Sequence, residues 1–279
     1  MKIGSHVSIR HGYYGAASHA FDIGATAFQY FPKNPRSIQI KDFNREDAER
    51  CAAFCQEKGL VSVAHTPYPT SLCVDREEDR QGMIDSIRND LDIADACGSI
   101  GIVVHFGKHH SDDPLEGYQM MISMLDDILE PWEGDTLLLL ENNAGQGLKM
   151  GTTLEELVQV RELCQYPSKI GFCLDTCHAF ASGIWNGENW EEVVEKGSEL
   201  GFFEDLKVVH LNDSRYPTQS YRDRHANVGK GEIGEAAFRA MLNANVMQTI
   251  PCVLETPKSD TYTHKDEIQY VNTLLKGDT

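Results

Sequence analysis

Gly171-Phe172-Cys173-Leu174-Asp175-Thr176-Cys177-His178 is a short apolar strand that runs straight into a carboxylate, with a histidine three residues further on. A strand buried on both faces, as in a parallel sheet, is apolar at successive positions instead of alternating. The acid at its end marks where the chain leaves the core and meets a ligand. The same grammar recurs. Apolar runs fall at Ile3–Val7, Thr26–Tyr30, Val61–Ala64, Gly101–Val104, Leu137–Leu140, Gly171–Leu174, Leu206–Val209 and Pro251–Leu254.

Amphipathic stretches separate these runs. Asp113-Pro114 supplies an N-cap and a first-turn proline for a helix with the stripe Leu115, Tyr118, Met121, Ile122, Leu125 and Ile128. Thr152-Thr153-Leu154-Glu155-Glu156 carries a capping box ahead of Leu157 and Val160. Further faces are Met83, Ile84, Ile87, Leu91 and Ala94; Trp190, Val193 and Val194; Phe238, Met241 and Leu242; and Ile268, Val271, Leu274 and Leu275. About eight strands, each followed by a helix, predict a (β/α)8 TIM barrel over residues 1–279 as one domain. A doubly wound open sheet would carry a glycine-rich phosphate turn after its first strand. No GxGxxG follows Val7, so the barrel is preferred.

The totals set outer bounds. With 279 residues, 41% of them hydrophobic, the chain can bury a large core, and no apolar stretch is long enough for a membrane span. Met1-Lys2-Ile3-Gly4-Ser5-His6 lacks the apolar core of a secretory signal, and the 8 cysteines contain no CxxC pair. The expectation is a cytoplasmic protein with reduced thiols. A formal charge of −18 opposes binding to a polyanion. Bound divalent ions carry their own charge and shape the local field of a site.

From the third strand onward the apolar runs end in His65, His105, Glu141, Asp175, His210 and Glu255. The C-terminal face of the strands is where barrel active sites are built. Each residue alone is more simply a strand leaving the core for solvent. Jointly, carboxylates converging on one rim would repel one another, and divalent cations relieve that repulsion. Three histidines with three carboxylates suit Zn²⁺, Mn²⁺ or Fe²⁺. A second cluster lies in the loops of the same rim. His178 follows Asp175 by three, and Asp223-Arg224-His225 places an acid and an imidazole two apart, on one side of an extended segment. The loop from Leu211 to Gly231 is long enough to be functional. His178, Asp223 and His225 offer a three-ligand site with one position open. His6 is expected to support the site through a hydrogen bond, as a donor to a ligand. Cys173 is expected to pack inside the barrel, and a thiolate role for Cys173 or Cys177 stays open. His11, His19 and His264 lack convergent partners and are read as surface or structural; His109-His110 is read as an exposed approach to a helix.

Several of these segments resemble the endonuclease IV family, metal-dependent apurinic/apyrimidinic endonucleases built on a TIM barrel. Gly171 to His178 is similar to one family signature. His210-Leu211-Asn212-Asp213-Ser214, Asp223-Arg224-His225 and Gly229-Lys230-Gly231-Glu232-Ile233-Gly234 together resemble another. Glu141-Asn142-Asn143-Ala144-Gly145-Gln146-Gly147 and Gly4-Ser5-His6-Val7-Ser8 match as well, so the resemblance spans essentially the whole chain. It implies three Zn²⁺ ions per chain, with Mn²⁺ or Fe²⁺ admissible at one or more sites. The implied ligand sets are His65, His105 and Glu141; Glu141, Asp175, His210 and Glu255, with Glu141 bridging; and His178, Asp223 and His225. The implied activity is a zinc-dependent phosphodiesterase that hydrolyses the bond 5′ to an abasic site in double-stranded DNA, in DNA repair. Glu255, Glu141 and Asp175 would be catalytic, and Arg36, Tyr68 and Arg224 would contact DNA. No membrane and no obligate protein partner is implied, and a monomer is expected.

The chain also departs from the family pattern. His65-Thr66-Pro67-Tyr68-Pro69-Thr70-Ser71 keeps the tyrosine but not the apolar wedge or the asparagine beyond it. Lys33-Asn34-Pro35-Arg36 matches a DNA-contacting loop, yet the aromatic beyond it is absent at Ser37-Ile38. Wedging side chains fill the gap left by unstacked bases. The altered residues therefore bear on substrate recognition and not on the metal ligands. The competing expectation is a metal-dependent sugar isomerase or epimerase of the same barrel superfamily, which needs only one or two metals and no third site.

Overall fold

The computed structural model describes residues 1–109, 111 and 113–275. The strands are β1 (Ile3–His6), β2 (Ala27–Tyr30), β3 (Val61–His65), β4 (Gly101–His105), β5 (Leu137–Glu141), β6 (Ile170–Asp175), β7 (Leu206–His210), β8 (Asp213–Ser214), β9 (His225–Ala226) and β10 (Cys252–Leu254). The helices are α1 (Gly12–Asp22), α2 (Arg45–Lys58), α3 (Glu77–Ala96), α4 (Pro114–Leu129), α5 (Leu154–Leu163), α6 (Thr176–Ser182), α7 (Trp190–Glu199), α8 (Phe202–Asp205), α9 (Gly234–Leu242) and α10 (His264–Leu275). β1 to β7 and β10 pair in parallel and close into a barrel in the order β1-β10-β7-β6-β5-β4-β3-β2. The TIM barrel expected from the alternation of runs is the observed fold. No helix among the described residues is long and apolar enough to cross a membrane.

The apolar runs become the barrel strands, displaced by about one residue at their ends. Pro251 precedes β10 because it has no N–H for the ladder, although its carbonyl still accepts from Val209 N at 2.9 Å. The strand period of two then decides where the polar ends point. Side chains at i and i−2 share a face. Val63, Val103, Leu139, Cys173, Val208 and Val253 each stand two residues before a strand-end His, Asp or Glu, and together they form a separate, fully buried cluster inside the barrel. Cys173 is thus packed in the bore, as expected. Burying each of these aliphatic side chains stabilises the fold by roughly 1.5–3 kcal/mol. The layer also plugs the barrel beneath its C-terminal mouth. The residues two further on must therefore face inward at that mouth.

The helix starts follow the sequence. Asp113 caps α4 by accepting from Leu115 N, and Thr153 caps α5 by accepting from Glu156 N at 3.2 Å. In return the Glu156 carboxylate accepts from Thr153 Oγ1 at 2.9 Å and from Thr152 N at 2.9 Å. Leu115 leaves the expected α4 stripe. It is 61% exposed. The long segment after β7 is not structureless either. β8 and β9 pair antiparallel, Ser214 opposite His225, and fix the position of that imidazole.

Candidate metal centre

Seven of the nine expected ligands sit on or next to barrel strands. His65, His105, Glu141, Asp175 and His210 are the last residues of β3 to β7, and Glu255 directly follows β10. His178 lies in the first turn of α6, where Asp175 is the N-cap and accepts from His178 N at 2.8 Å. That bond satisfies a free helix N–H and holds the two side chains side by side. Asp223 and His225 arrive from the β8–β9 connection. Asp213 seals its base by accepting from Ser214 N, Gly231 N and Ile233 N at 2.7–2.9 Å. Gly231 is required there, since a Cβ would lie 2.3 Å from the Ser214 carbonyl.

Five groups of donor atoms result among the described residues, each with all atoms within 4.8 Å of one another. Two bring in a thiol: Glu141 with Cys173 and His210, and Asp175 with Cys177 and His225. Three match the expected sets: His65, His105 and Glu141; Glu141, Asp175, His210 and Glu255; and His178, Asp223 and His225. Glu141 belongs to two of these three. Its Oε2 lies 3.2 Å from His105 Nε2 and 3.5 Å from His65 Nε2, while its Oε1 lies 3.0 Å from His210 Nδ1. His178 Nε2 is 3.3 Å from Asp223 Oδ2, and His225 Nε2 is 3.2 Å from Asp223 Oδ1 and 3.6 Å from Asp175 Oδ2.

The hydrogen bonds behind the cluster select the imidazole tautomers. His65 Nδ1 donates to the Thr66 carbonyl at 2.7 Å, and His178 Nδ1 donates to the Asn142 carbonyl at 2.9 Å. His210 Nε2 donates to Gln29 Oε1 at 2.7 Å. In each case the other ring nitrogen is left aimed at the carboxylates, which is how a protein orients histidines as ligands. Glu141 Oε2, His178 Nε2 and His225 Nε2 are buried without a hydrogen-bond partner. Each such orphan costs roughly 1–3 kcal/mol unless something binds it. Imidazole nitrogens and carboxylate oxygens left bare around one cavity fit divalent cations of the Zn²⁺, Mn²⁺ or Fe²⁺ type.

Electrostatics describe the same crowding. Burial pulls the His178 imidazole down, but the Asp175 and Asp223 carboxylates overcome it and hold its pKa well above the ordinary value. Burial likewise opposes His225, which Asp175 and Asp223 raise to about 9. Burial would raise Glu255, yet His210 and His65 bring it down to about 2. Asp175, fully buried, is raised. Burial also pushes the Cys173 thiol up to about 12 and raises Cys177, so neither is disposed to ionise beside the imidazoles.

Other residues were not legible as parts of the site. Gln29, on β2, donates to Glu255 Oε1 at 2.7 Å as well as accepting from His210. Asn212 Nδ2 donates to Asp175 Oδ2 at 2.7 Å and to Glu255 Oε2 at 3.2 Å, and Asn142 Oδ1 accepts from Asp175 N at 2.7 Å. Their signal was a polar side chain inside an apolar run or within two residues of a ligand. His6 supports the site differently from the expectation. Its Nδ1 accepts from Gln29 Nε2 at 3.2 Å, because burial lowers its pKa to about 3 and keeps the ring neutral. His264 is buried and donates to the Thr256 carbonyl at 3.0 Å, a structural role, while His11 and His19 are exposed. His109 is not exposed; Asp75 and Glu116 lie 2.9 and 3.4 Å from its two ring nitrogens. His110 falls outside the described residues.

Of the expected DNA contacts Arg36, Tyr68 and Arg224, Tyr68 lines the cavity and the two arginines do not. Tyr68 is exposed, lines the cavity edge-on to Phe31 at 5.1 Å, and its N–H donates to the Pro35 carbonyl at 2.9 Å, tying it to the Arg36 segment. Arg224 is exposed, and its guanidinium turns back onto the Asp223 carbonyl. Lys33 does not line the mouth. It is buried against Asp90 of α3, with Nζ 3.0 Å from Oδ1.

The closed barrel and this rim of imidazoles and carboxylates define a metal-using TIM barrel. The family described as xylose isomerase-like TIM barrel matches residues 17–274. A protein of Symbiobacterium thermophilum named "Probable endonuclease 4" is 44% identical over 276 residues, 99% of this chain and 100% of its own length. One of the same name from Akkermansia muciniphila is 33% identical over 96% of this chain and 97% of its own. The crystal structure of endonuclease IV from Thermus thermophilus superposes with a TM-score of 0.86 at 30% identity, covering 99% of both chains. The chain belongs to the endonuclease IV family of xylose isomerase-like TIM barrels.

Proposed function

We propose that this protein is a metal-dependent apurinic/apyrimidinic endonuclease that hydrolyses the phosphodiester 5′ to an abasic site in double-stranded DNA and leaves a 3′-hydroxyl. The observation that carries the reading is the third donor group, His178, Asp223 and His225, standing beside the two that share Glu141. A one- or two-metal sugar isomerase has no use for that group. The names of the full-length relatives point the same way.

His65, His105 and Glu141 would hold one ion, Glu141, Asp175, His210 and Glu255 a second, and His178, Asp223 and His225 a third. Ions bound there would lower the pKa of water towards neutrality and neutralise charge developing on the phosphate oxygens. The chain's own residues supply orientation. Gln29 and Asn212 clamp the two oxygens of Glu255, and Glu255 N donates to Asn212 Oδ1 at 2.9 Å. Glu255 is thereby fixed to direct an attacking water at phosphorus. Phe31 and Tyr68 wall one side of the cavity. Asp175 joins the second donor group to the third through His178 and His225.

The test is incision of a duplex with one abasic site, together with metal analysis of the pure protein. Three ions per chain, chelator-sensitive incision on the 5′ side and restoration by Zn²⁺ or Mn²⁺ are expected. One or two ions with sugar isomerisation and no incision would overturn the reading.

A further inference from the structure

The mouth of the site opens into a cavity of about 310 Å³, walled by Phe31 and Tyr68 on one side and by Thr256, Lys258 and His264 on another. Among the described residues Lys258 is the only lysine or arginine that lines it. The remaining titratable groups there are the imidazoles and carboxylates of the centre, together with His6 and His264. Burial lowers both of those rings, so neither brings positive charge. The chain carries a net −18, so a polyanion approaching this mouth is opposed by the molecule as a whole.

The backbone on each side of Lys258 is fixed. The Pro257 carbonyl accepts from Asn227 Nδ2 at 3.0 Å, two residues beyond His225. Ser259 pairs with Tyr262, its N–H donating to the Tyr262 carbonyl at 3.0 Å. Glu267 ties the same corner together by accepting from Thr256 Oγ1 at 2.5 Å and from Asn227 Nδ2 at 2.8 Å. The lysine therefore stands, exposed, on a rigid base three residues from Glu255, whose carboxylate faces His210, and no ion pair among the described residues holds it. An unpaired ammonium on a fixed base beside a bed of carboxylates is placed for a phosphate that enters with the substrate.

We propose that Lys258 binds a backbone phosphate flanking the scissile one. It thereby supplies grip at a mouth where the family's apolar wedge is missing. The inference rests on the reading of the substrate as DNA. Equilibrium binding of an abasic-site duplex, followed by fluorescence anisotropy over a range of salt, tests it alongside steady-state incision. Lys258→Ala should raise Kd and KM roughly fivefold near 0.1 M salt and leave kcat within about twofold. The slope of log Kd against log salt should become shallower by about 0.9, the value for one phosphate contact. Lys258→Arg should restore both. Unchanged Kd and unchanged slope in Lys258→Ala overturn the proposal. A wild-type protein that binds without incising defeats the hydrolytic reading and leaves Lys258 to be decided by binding; one that neither binds nor incises defeats both.

Discussion

Lys33→Met should destabilise this protein far more at alkaline than at mildly acidic pH. Lys33 Nζ stands 3.0 Å from Asp90 Oδ1 and donates to Ser86 O at 2.9 Å and Ser86 Oγ at 2.8 Å. The two charged side chains are only 2% and 0% exposed. At that separation the attraction is about 5 kcal/mol with an effective dielectric constant near 20. Most of it offsets the cost of burying the charges. Removing the ammonium leaves a bare buried carboxylate, at a cost of about 3–5 kcal/mol. Even with Lys33 present, burial raises Asp90 to about 7. A carboxyl whose folded pKa lies above its unfolded value binds extra protons in the folded state, so its contribution to stability falls as pH rises through that interval. Without Lys33 the folded pKa climbs further, and the deficit widens as pH rises. Urea melts should show the full deficit near about pH 8 and less than half of it near about pH 5. Lys33→Met with Asp90→Leu should return to within about 2 kcal/mol of wild type, since an apolar pair substitutes well for a buried ion pair. An equal deficit at both pH values, or none at the higher one, would refute the reasoning.

Two further outcomes bear on the centre. Glu255→Gln keeps an oxygen for Asn212 Nδ2 but removes the charge that directs water, so kcat should fall by roughly 10²–10³ while the Kd for abasic duplex stays within about twofold. Near-normal incision would remove Glu255 from the mechanism. Gln29→Leu removes the acceptor for His210 Nε2 and the donor to Glu255 Oε1. Zn²⁺ affinity, read by competition with a chelating dye, should drop about 10–100-fold, as for other outer partners of metal-binding histidines.

The parts of the fold visible in the sequence were those that depend on one strand at a time. Val61 to His65 and Leu137 to Glu141 declare both their strand and their polar end, because both faces of a barrel strand are buried and a polar residue closes each apolar run. The inward direction of that last residue also follows from the period of two, given Val63 and Leu139 beneath it. Contacts between distant segments were not visible. Gln29 meets Glu255 across 226 residues of chain, and nothing in Thr26–Tyr30 marks the partner. Lys33 shows why a motif match can mislead about a side chain. Its segment matches a DNA-contacting loop of the family pattern, yet Asp90, far along the chain on α3, captures the ammonium and anchors the loop. The β8–β9 ribbon was hidden for a related reason. Two-residue strands carry no periodicity, and it is Asp213, by collecting backbone N–H groups, that closes the loop.

The negative charge of the chain and a polyanionic substrate are reconciled at Glu141. Its two oxygens face different histidine sets, so a proton or cation taken up on one side alters the field felt on the other. With no cation, the raised imidazoles of His178, His210 and His225 supply counter-charge among Glu141, Asp175, Asp223 and Glu255, and buried lone pairs are still left unsatisfied. Divalent ions held there would convert that rim from a repulsive surface for phosphate into an attractive one without altering the rest of the molecule. Affinity for DNA should therefore follow metal occupancy more steeply than it follows any surface lysine. Lys258 would then refine a field that a metal-loaded centre reverses.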